Sequence, residues 1–281
     1  MLELALFGAA GKMGARIASV LGNNPDYALR CVESGAVGLS RLRAAGFTPC
    51  DAQEAATAAD VVVLAVPDVA IGSVAHQLVP LLKSGTLVIT LDPAAAYGGA
   101  LPARHDIAYL VTHPCHPSLA NKDLPPDALR DYFGGIAPQA LVCALYQGSE
   151  DDYVRGEAIC RTMFAPVSVV HRITVEQMAL LEPAMADTVA LTCLTVVREA
   201  VDGVIAQGVP EAAAMDFILG HLNVSIAILF GLIDAQVSDG ARLAVERARK
   251  SLFRPDWREV LTPQRVREQV SSIIHGEVQA E

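Results

Sequence analysis

The run Gly8-Ala-Ala-Gly11-Lys-Met-Gly14 restricts what this chain can fold into more than any other segment. It follows an apolar stretch of strand character at 2–8 and leads directly into helix-forming Ala-Arg-Ile-Ala. A glycine-rich turn at a strand-to-helix junction lets the backbone approach a pyrophosphate, whose charge then rests on the helix N-terminus. The spacing is G-x-x-G-x-x-G instead of G-x-G-x-x-G, with Ala9 or Ala10 where the second glycine would fall. Glycine turns also serve pure packing, so the surrounding sequence has to decide.

It does so at the next strand, 28–34, which delivers Glu33 nineteen residues after Gly14. A carboxylate there accepts hydrogen bonds from a ribose and repels a 2'-phosphate, which favours NAD over NADP. Arg41 and Arg43 downstream are the groups that could serve a phosphate instead. The expected cofactor contacts are Gly8, Ala10, Gly11, Lys12, Met13, Gly14 and Glu33, with Val66, Pro67 and Asp68 at the end of a later strand beside the nicotinamide ribose.

Strand-like runs recur at 28–34, 60–66, 86–92, 108–113 and 140–146, with helical patterns between the early ones. That rhythm predicts an α/β, doubly wound Rossmann sheet with parallel strands. From about Thr174 the strand signal stops, and apolar-periodic segments follow at 174–207, 210–235, 239–253 and 263–276. We therefore expect a nucleotide-binding domain over 1–172 and an all-helical domain over 173–281. Segments 174–207 and 210–235 are apolar around most of their circumference, which predicts burial in an interwoven homodimer; a monomer with a thick helical layer is the alternative.

A net charge of −10, from 21 Lys+Arg against 31 Asp+Glu, opposes binding to a phosphate backbone, so no nucleic-acid partner is expected. Charged residues are expected to interrupt every apolar run short of the roughly 20 residues that a bilayer span needs, so no membrane partner is expected either. The N-terminus shows no basic leader, which makes the cytoplasm the expected compartment. Cys31, Cys50, Cys115, Cys143, Cys160 and Cys193 form no C-x-x-C pair, as suits reduced thiols.

The chemistry-bearing candidates begin with Thr112-His113-Pro-Cys-His116-Pro117, just past a central strand. Two histidines three apart, pinned by prolines, can bind a metal or supply a general base with an orienting neighbour. A plain surface loop is the bland alternative. Glu182, before Pro183 and among apolar residues, is a candidate metal ligand or proton acceptor, or simply a first-turn helix acid. His221 and Asn223 intrude on an apolar helix, where they reach a substrate or are satisfied core groups. The metal set under this reading is His113, His116 and Glu182, compatible with a zinc- or magnesium-class divalent ion or with none.

The Lys-Met-Gly14 turn, the Ala65-Val-Pro-Asp68 strand end and the helical second half resemble the 6-phosphogluconate dehydrogenase-like superfamily of hydroxyacid dehydrogenases. Within it, the glycine turn together with His113-Pro-Cys-His116-Pro, Gly134-Gly-Ile-Ala137, Leu181-Glu-Pro183 and Gly220-His-Leu-Asn-Val224 is similar to the D-apionate oxidoisomerase group. The resemblance spans nearly the whole length. It implies NAD-linked oxidation of the 2-hydroxyl of a branched sugar acid, D-apionate, followed by hydroxymethyl migration to 3-oxo-isoapionate. It also implies that His113 or His116 and Glu182 hold a metal or exchange the proton while His221 and Asn223 orient hydroxyls, roles that could be exchanged among the five.

The glycine turn also resembles that of dihydrodipicolinate reductases, but their His-His pair and Lys-x-Asp-x-Pro-Ser-Gly-Thr loop are missing. A His-Pro after the sixth strand resembles prephenate dehydrogenases, although Cys-His-Pro departs from their continuation; a plain hydroxyacid dehydrogenase is the related alternative. A semialdehyde dehydrogenase would need an activated thiolate, for which Cys115 is the candidate. A catalytically silent NAD-binding regulator would show a vacant catalytic loop, whereas polar groups stand at 113, 116, 182 and 221.

Overall fold

The computed structural model describes residues 1–276. Alternating strands and helices open the chain: β1 (Leu2–Phe7), α1 (Lys12–Leu21), β2 (Tyr27–Val32), α2 (Ala36–Ala44), α3 (Ala52–Ala58), β3 (Val61–Leu64), α4 (Asp68–Leu78), β4 (Leu87–Thr90), α5 (Ala94–Tyr97) and β5 (Ala108–Pro114). β6 (Gln139–Gln147), α6 (Glu150–Met163) and β7 (Val167–Arg172) complete one seven-stranded sheet in the order β2-β1-β3-β4-β5-β6-β7. The sheet is buried on both faces, so its strands read as continuous apolar runs. Alternate residues supply the two sides: Leu4, Leu6, Val61 and Val63 pack with Ile17 and Leu21 of α1, whereas Ala5, Phe7, Val62 and Leu64 pack with Ile71 and Ala75 of α4.

Two features of the sheet depart from the sequence expectation. β6 runs antiparallel to β5, while every other pair is parallel. The intervening 115–138 carries only a short 3-10 turn at Ala128–Arg130, so the chain returns beside β5 without the helix that usually carries a parallel crossover. β7, absent from the sequence reading, is an edge strand with mostly exposed residues, whose Ser168, His171 and Arg172 weaken the apolar signal.

After β7 the chain is helical: α7 (Val175–Ala179), a π-helical stretch Leu180–Leu191, α8 (Thr192–Ala206), α9 (Glu211–Leu229), α10 (Asp239–Leu252) and α11 (Pro263–His275). The expected helix 174–207 is thus one run with a wide-turned interior. Pro183 has no N–H to give the carbonyl four residues back, and Thr188 Oγ1 donates to the Pro183 carbonyl at 2.8 Å across the widened turn.

The chain divides into two compact units, 1–181 with the segment from Arg267, and Glu182–Val266. In the first, Val270 and Ile274 of α11 lie over Gly98, at the end of α5, where a side chain would collide with them. In the second, burial is sparse. Only Val201 is buried on α8, only Ala214 on α9 and nothing on α10, while Leu191, Leu194, Phe217, Leu219, Leu229 and Phe230 are exposed.

Charge interrupts the apolar run of α9 only late. No Asp, Glu, Lys or Arg falls between Asp216 and Asp234, and α9 is the one described helix long and apolar enough to cross a membrane. His221, Asn223 and Ser225 in the middle of that run are costly in lipid and suit a protein neighbour.

Candidate active site

The strand register gathers the site on one edge. Phe7, Leu64, Thr90 and Val111 stand in a row across β1, β3, β4 and β5, so the segments that follow them leave at the same carboxyl edge. Gly8, the Val66-Pro67 corner, Leu91 and His113 all lie there, where doubly wound sheets bind their ligands.

The glycine turn is built for close approach. Gly8 has φ 76°, and a Cβ on it would lie 2.8 Å from the Ala65 carbonyl carbon. A Cβ on Gly14 would press on the Gly8 carbonyl and sit 2.9 Å from Ala9 Cα. Gly11 stands at the N-cap of α1 without a capping side chain, so the first-turn N–H groups around Lys12, Met13 and Gly14 are available to an anion. Glu33 closes the turn: its Oε2 accepts from Ala10 N at 3.1 Å and its Oε1 from Ser34 N at 3.0 Å. Gly8, Gly11, Glu33, Val66 and Pro67 share the lining of a cavity of about 420 Å³. Asp68 is the first residue of α4, next to that corner but outside the lining.

His113 ends the central edge. Its Nδ1 faces the Leu91 carbonyl at 2.9 Å, and a carbonyl only accepts, so Nδ1 carries a proton and Nε2 is the nitrogen that holds the lone pair in the neutral tautomer. The His116 ring meets His113 edge-on, with centroids 6.3 Å apart. His116 also directs Nδ1 at a carbonyl, that of Phe133, at 3.4 Å, again leaving Nε2 unprotonated. His116 is the one described non-glycine residue with positive φ, 59°, a backbone state that persists only where the surroundings impose it. Burial, with His113 and Arg16 nearby, lowers its pKa from the usual 6.5 despite the Phe133 bond, so the ring is neutral at neutral pH. Between the histidines, desolvation by its neighbours pushes the thiol of the otherwise exposed Cys115 up, the opposite of an activated nucleophile.

Sequence reasoning missed the support of this pair. Arg16, one turn into α1, donates to the Phe133 carbonyl at 3.3 Å and lays its guanidinium 4.7 Å from the Phe133 ring. The Phe133 ring in turn stands edge-on to His116 at 5.8 Å. Asp131 organises the backbone behind it: Oδ1 accepts from Phe133 N and Gly134 N, Oδ2 from Ile136 N and Ala137 N, and these bonds hold the carboxyl below the usual range despite burial. An aspartate followed by Gly134-Gly135 was the available signal.

The other candidates belong to the helical unit. Glu182 and Pro183 lie in the first turn of the π-helical stretch Leu180–Leu191, with Glu182 half-buried. His221 directs Nδ1 at the Phe217 carbonyl at 2.8 Å and stacks on the Phe217 ring at 3.9 Å, so its Nε2 is likewise the open nitrogen. Asn223 lies two residues on, which turns it about 200° around α9, so the two residues point to different sides of the helix. The sequence had grouped His113, His116 and Glu182 as a metal set. Among the described residues no group of three or more His, Cys, Asp or Glu side chains is placed to hold an ion.

Comparison with known proteins matches residues 121–274 to the family described as phosphogluconate dehydrogenase (decarboxylating) C-term, and residues 3–93 to NADP oxidoreductase coenzyme F420-dependent. A D-apionate oxidoisomerase of Cupriavidus necator is 45% identical over 273 residues, covering 96% of this chain and 99% of that protein. One from Rhizobium rhizogenes is 45% identical over 97% of this chain and 100% of its own length. Among solved structures, a semialdehyde dehydrogenase NAD-binding protein from Cupriavidus necator, in complex with calcium and NAD, superposes with a TM-score of 0.93. It is 44% identical, covering 97% of this chain and 99% of that one.

Proposed function

Because this chain belongs to the D-apionate oxidoisomerase family, we propose that it oxidises the 2-hydroxyl of D-apionate with NAD and rearranges the product to 3-oxo-isoapionate. The observation that carries the reading is the shared sheet edge, where an uncapped α1 N-terminus and Glu33 stand with two histidines whose Nε2 lone pairs are open.

In the first step the 2-hydroxyl proton leaves to a base as the C2 hydride passes to NAD, giving NADH and a 2-keto acid. A neutral imidazole Nε2 suits the proton transfer, and His116 is the stronger candidate because burial keeps it neutral. In the second step the C3 hydroxyl loses its proton, a hydroxymethyl group migrates with its bonding pair from C3 to C2, and the C2 oxygen takes a proton up. C3 becomes the ketone, so no further oxidant is needed. His113, Glu182, His221 and Asn223 remain candidates for exchanging these protons or orienting the hydroxyls.

The NAD preference rests on Glu33, whose charge opposes a 2'-phosphate at the cavity it lines. A calcium ion takes six to eight oxygen ligands, and two imidazoles do not make such a cage. His113 and His116 alone do not fit such an ion, Glu182 of the other unit is the carboxylate that would join them, and no step is routed through a metal.

The nucleotide-binding role falls to 1–172 and the remaining helices to substrate and assembly, in this reading. The occupant of the exposed apolar surface of α8 and α9 is a second copy of the chain: two helices with one buried residue each have too little core of their own. The test of the catalytic assignment is NADH formation from D-apionate by the wild-type, His113→Ala and His116→Ala proteins. Loss of turnover with NAD affinity retained supports it, and wild-type rates in both variants refute it.

A further inference from the structure

We propose that Asp131 is a positioning residue for His116, acting through the Phe133 carbonyl; the proposal rests on the reading of His116 as a proton-transferring group. His116 reaches the site in a backbone state that its own residue type disfavours, φ 59°. The adjoining backbone bond, from Cys115 N to the Ala140 carbonyl at 2.9 Å, anchors the chain but leaves the ring free to turn. What orients the ring is Phe133: its carbonyl accepts from Nδ1, and its side chain packs edge-on against the imidazole. Phe133 lies in the long return loop between β5 and β6, outside any strand or helix, so no ladder holds its carbonyl in place.

Asp131 supplies that hold. Its carboxylate grips four backbone N–H groups within six residues, at 3.3 and 2.9 Å on one oxygen and 2.8 and 3.0 Å on the other. The chain between those donors turns through Gly134 and Gly135, at φ 92° and 123°, conformations that glycine alone adopts without strain. Four N–H groups converging on one carboxylate make a charge-assisted cradle that a neutral amide cannot replace, because it offers one acceptor oxygen and turns two donors toward donors. Arg16 fixes the other side of the same carbonyl and ties the loop to α1, the helix that begins at the glycine turn. The chain of contacts runs from Asp131 to the backbone of 133–137, to the Phe133 carbonyl, to Nδ1 of His116, and leaves Nε2 facing outward as the base.

The experiment is a double-mutant cycle on the full-length protein, reading NADH formation from D-apionate and NAD. Asp131→Asn is expected to lower kcat about 10- to 100-fold, with the Kd for NAD unchanged. In the His116→Ala background the same substitution is expected to change kcat by less than about twofold. Multiplying losses in the double variant would show that Asp131 works through something other than His116 and overturn the proposal. Wild-type turnover in Asp131→Asn overturns it while leaving the His116 reading intact. Wild-type turnover in His116→Ala removes both.

A second measurement needs no substrate. Two-bond ¹H–¹⁵N spectra of histidine-labelled protein, assigned with His116→Ala, are expected to show His116 as the Nδ1–H tautomer and to lose that preference in Asp131→Asn. An unchanged tautomer overturns the proposal. Where Asp131→Asn fails to fold, Gly134→Ala, which strains the same turn and keeps the carboxylate, is expected to give the same spectral change, and its absence counts equally against the proposal.

Discussion

Replacing Gly14 with alanine tests the nucleotide-binding turn at its tightest point. The new Cβ would press on the Gly8 carbonyl and stand 2.9 Å from Ala9 Cα, where carbon pairs rest at about 3.5–4.0 Å, an overlap of roughly 0.6–1.1 Å. The obstructing atoms are backbone, so α1 itself must move away from the turn by about that distance. Overpacking of this kind costs about 1–3 kcal/mol, which at 2–4 °C per kcal/mol lowers Tm by roughly 2–12 °C. The same movement withdraws the first-turn N–H groups from the pyrophosphate, and a misplacement near 1 Å weakens function about 100-fold. Gly11→Ala grades the effect, since its Cβ meets the Gly8 carbonyl oxygen at 3.3 Å and needs only a small adjustment. Gly35→Ala is the control, with φ −85° and nothing within 4 Å. The assay is calorimetric titration with NAD beside thermal melting. NAD affinity in Gly14→Ala equal to that of Gly35→Ala would refute the argument that the helix start holds the cofactor.

Three further outcomes follow from the same contacts. Glu33→Gln removes the negative charge that Ala10 N and Ser34 N hold at the ribose end; it should weaken NAD by about 10-fold or more and narrow the NAD/NADP ratio of kcat/KM, and an unchanged ratio contradicts the role given to Glu33. Leu229→Asp with Phe230→Asp, at sites 72% and 76% exposed in the single chain, should convert a dimer to monomer in light scattering; a monomeric wild type removes the assembly reading. The acid limb of kcat/KM should fall below 6.5: protonation silences the base, and burial lowers the His116 pKa, so activity stays flat as pH drops through 6.5 and is lost only beneath it. A limb at or above 6.5 assigns the base elsewhere.

What could be read from the sequence was set by local steric rules. The glycine turn, Glu33 nineteen residues on, and the His113-Pro-Cys-His116-Pro loop are patterns that chain geometry permits in few other settings, and the sheet register brought them to one edge. The helices at 239–252 and 263–275 were legible from an apolar period beside Ser238 and Pro263, and 211–229 from its unbroken apolar run after Pro210. Strand direction was not, since an antiparallel β6 depends on what the 115–138 loop lacks. The π-helical turn at Pro183 was hidden inside a strong helical period. Asp131 escaped notice because a side chain that grips backbone N–H groups leaves no periodic trace beyond its glycines. His221 and Asn223 look paired in sequence, yet two residues on a helix turn them apart.

Product identity tests the central claim most directly. The purified protein is incubated with D-apionate and NAD while NADH absorbance is followed, and the carbon NMR spectrum of the product is recorded. The account predicts stoichiometric NADH with a rearranged branched 3-keto acid, in which the ketone carbon carries one hydroxymethyl group. NADH with an unrearranged 2-keto acid would contradict the isomerase half and leave a plain hydroxyacid dehydrogenase, and NAD binding without NADH formation would contradict the substrate.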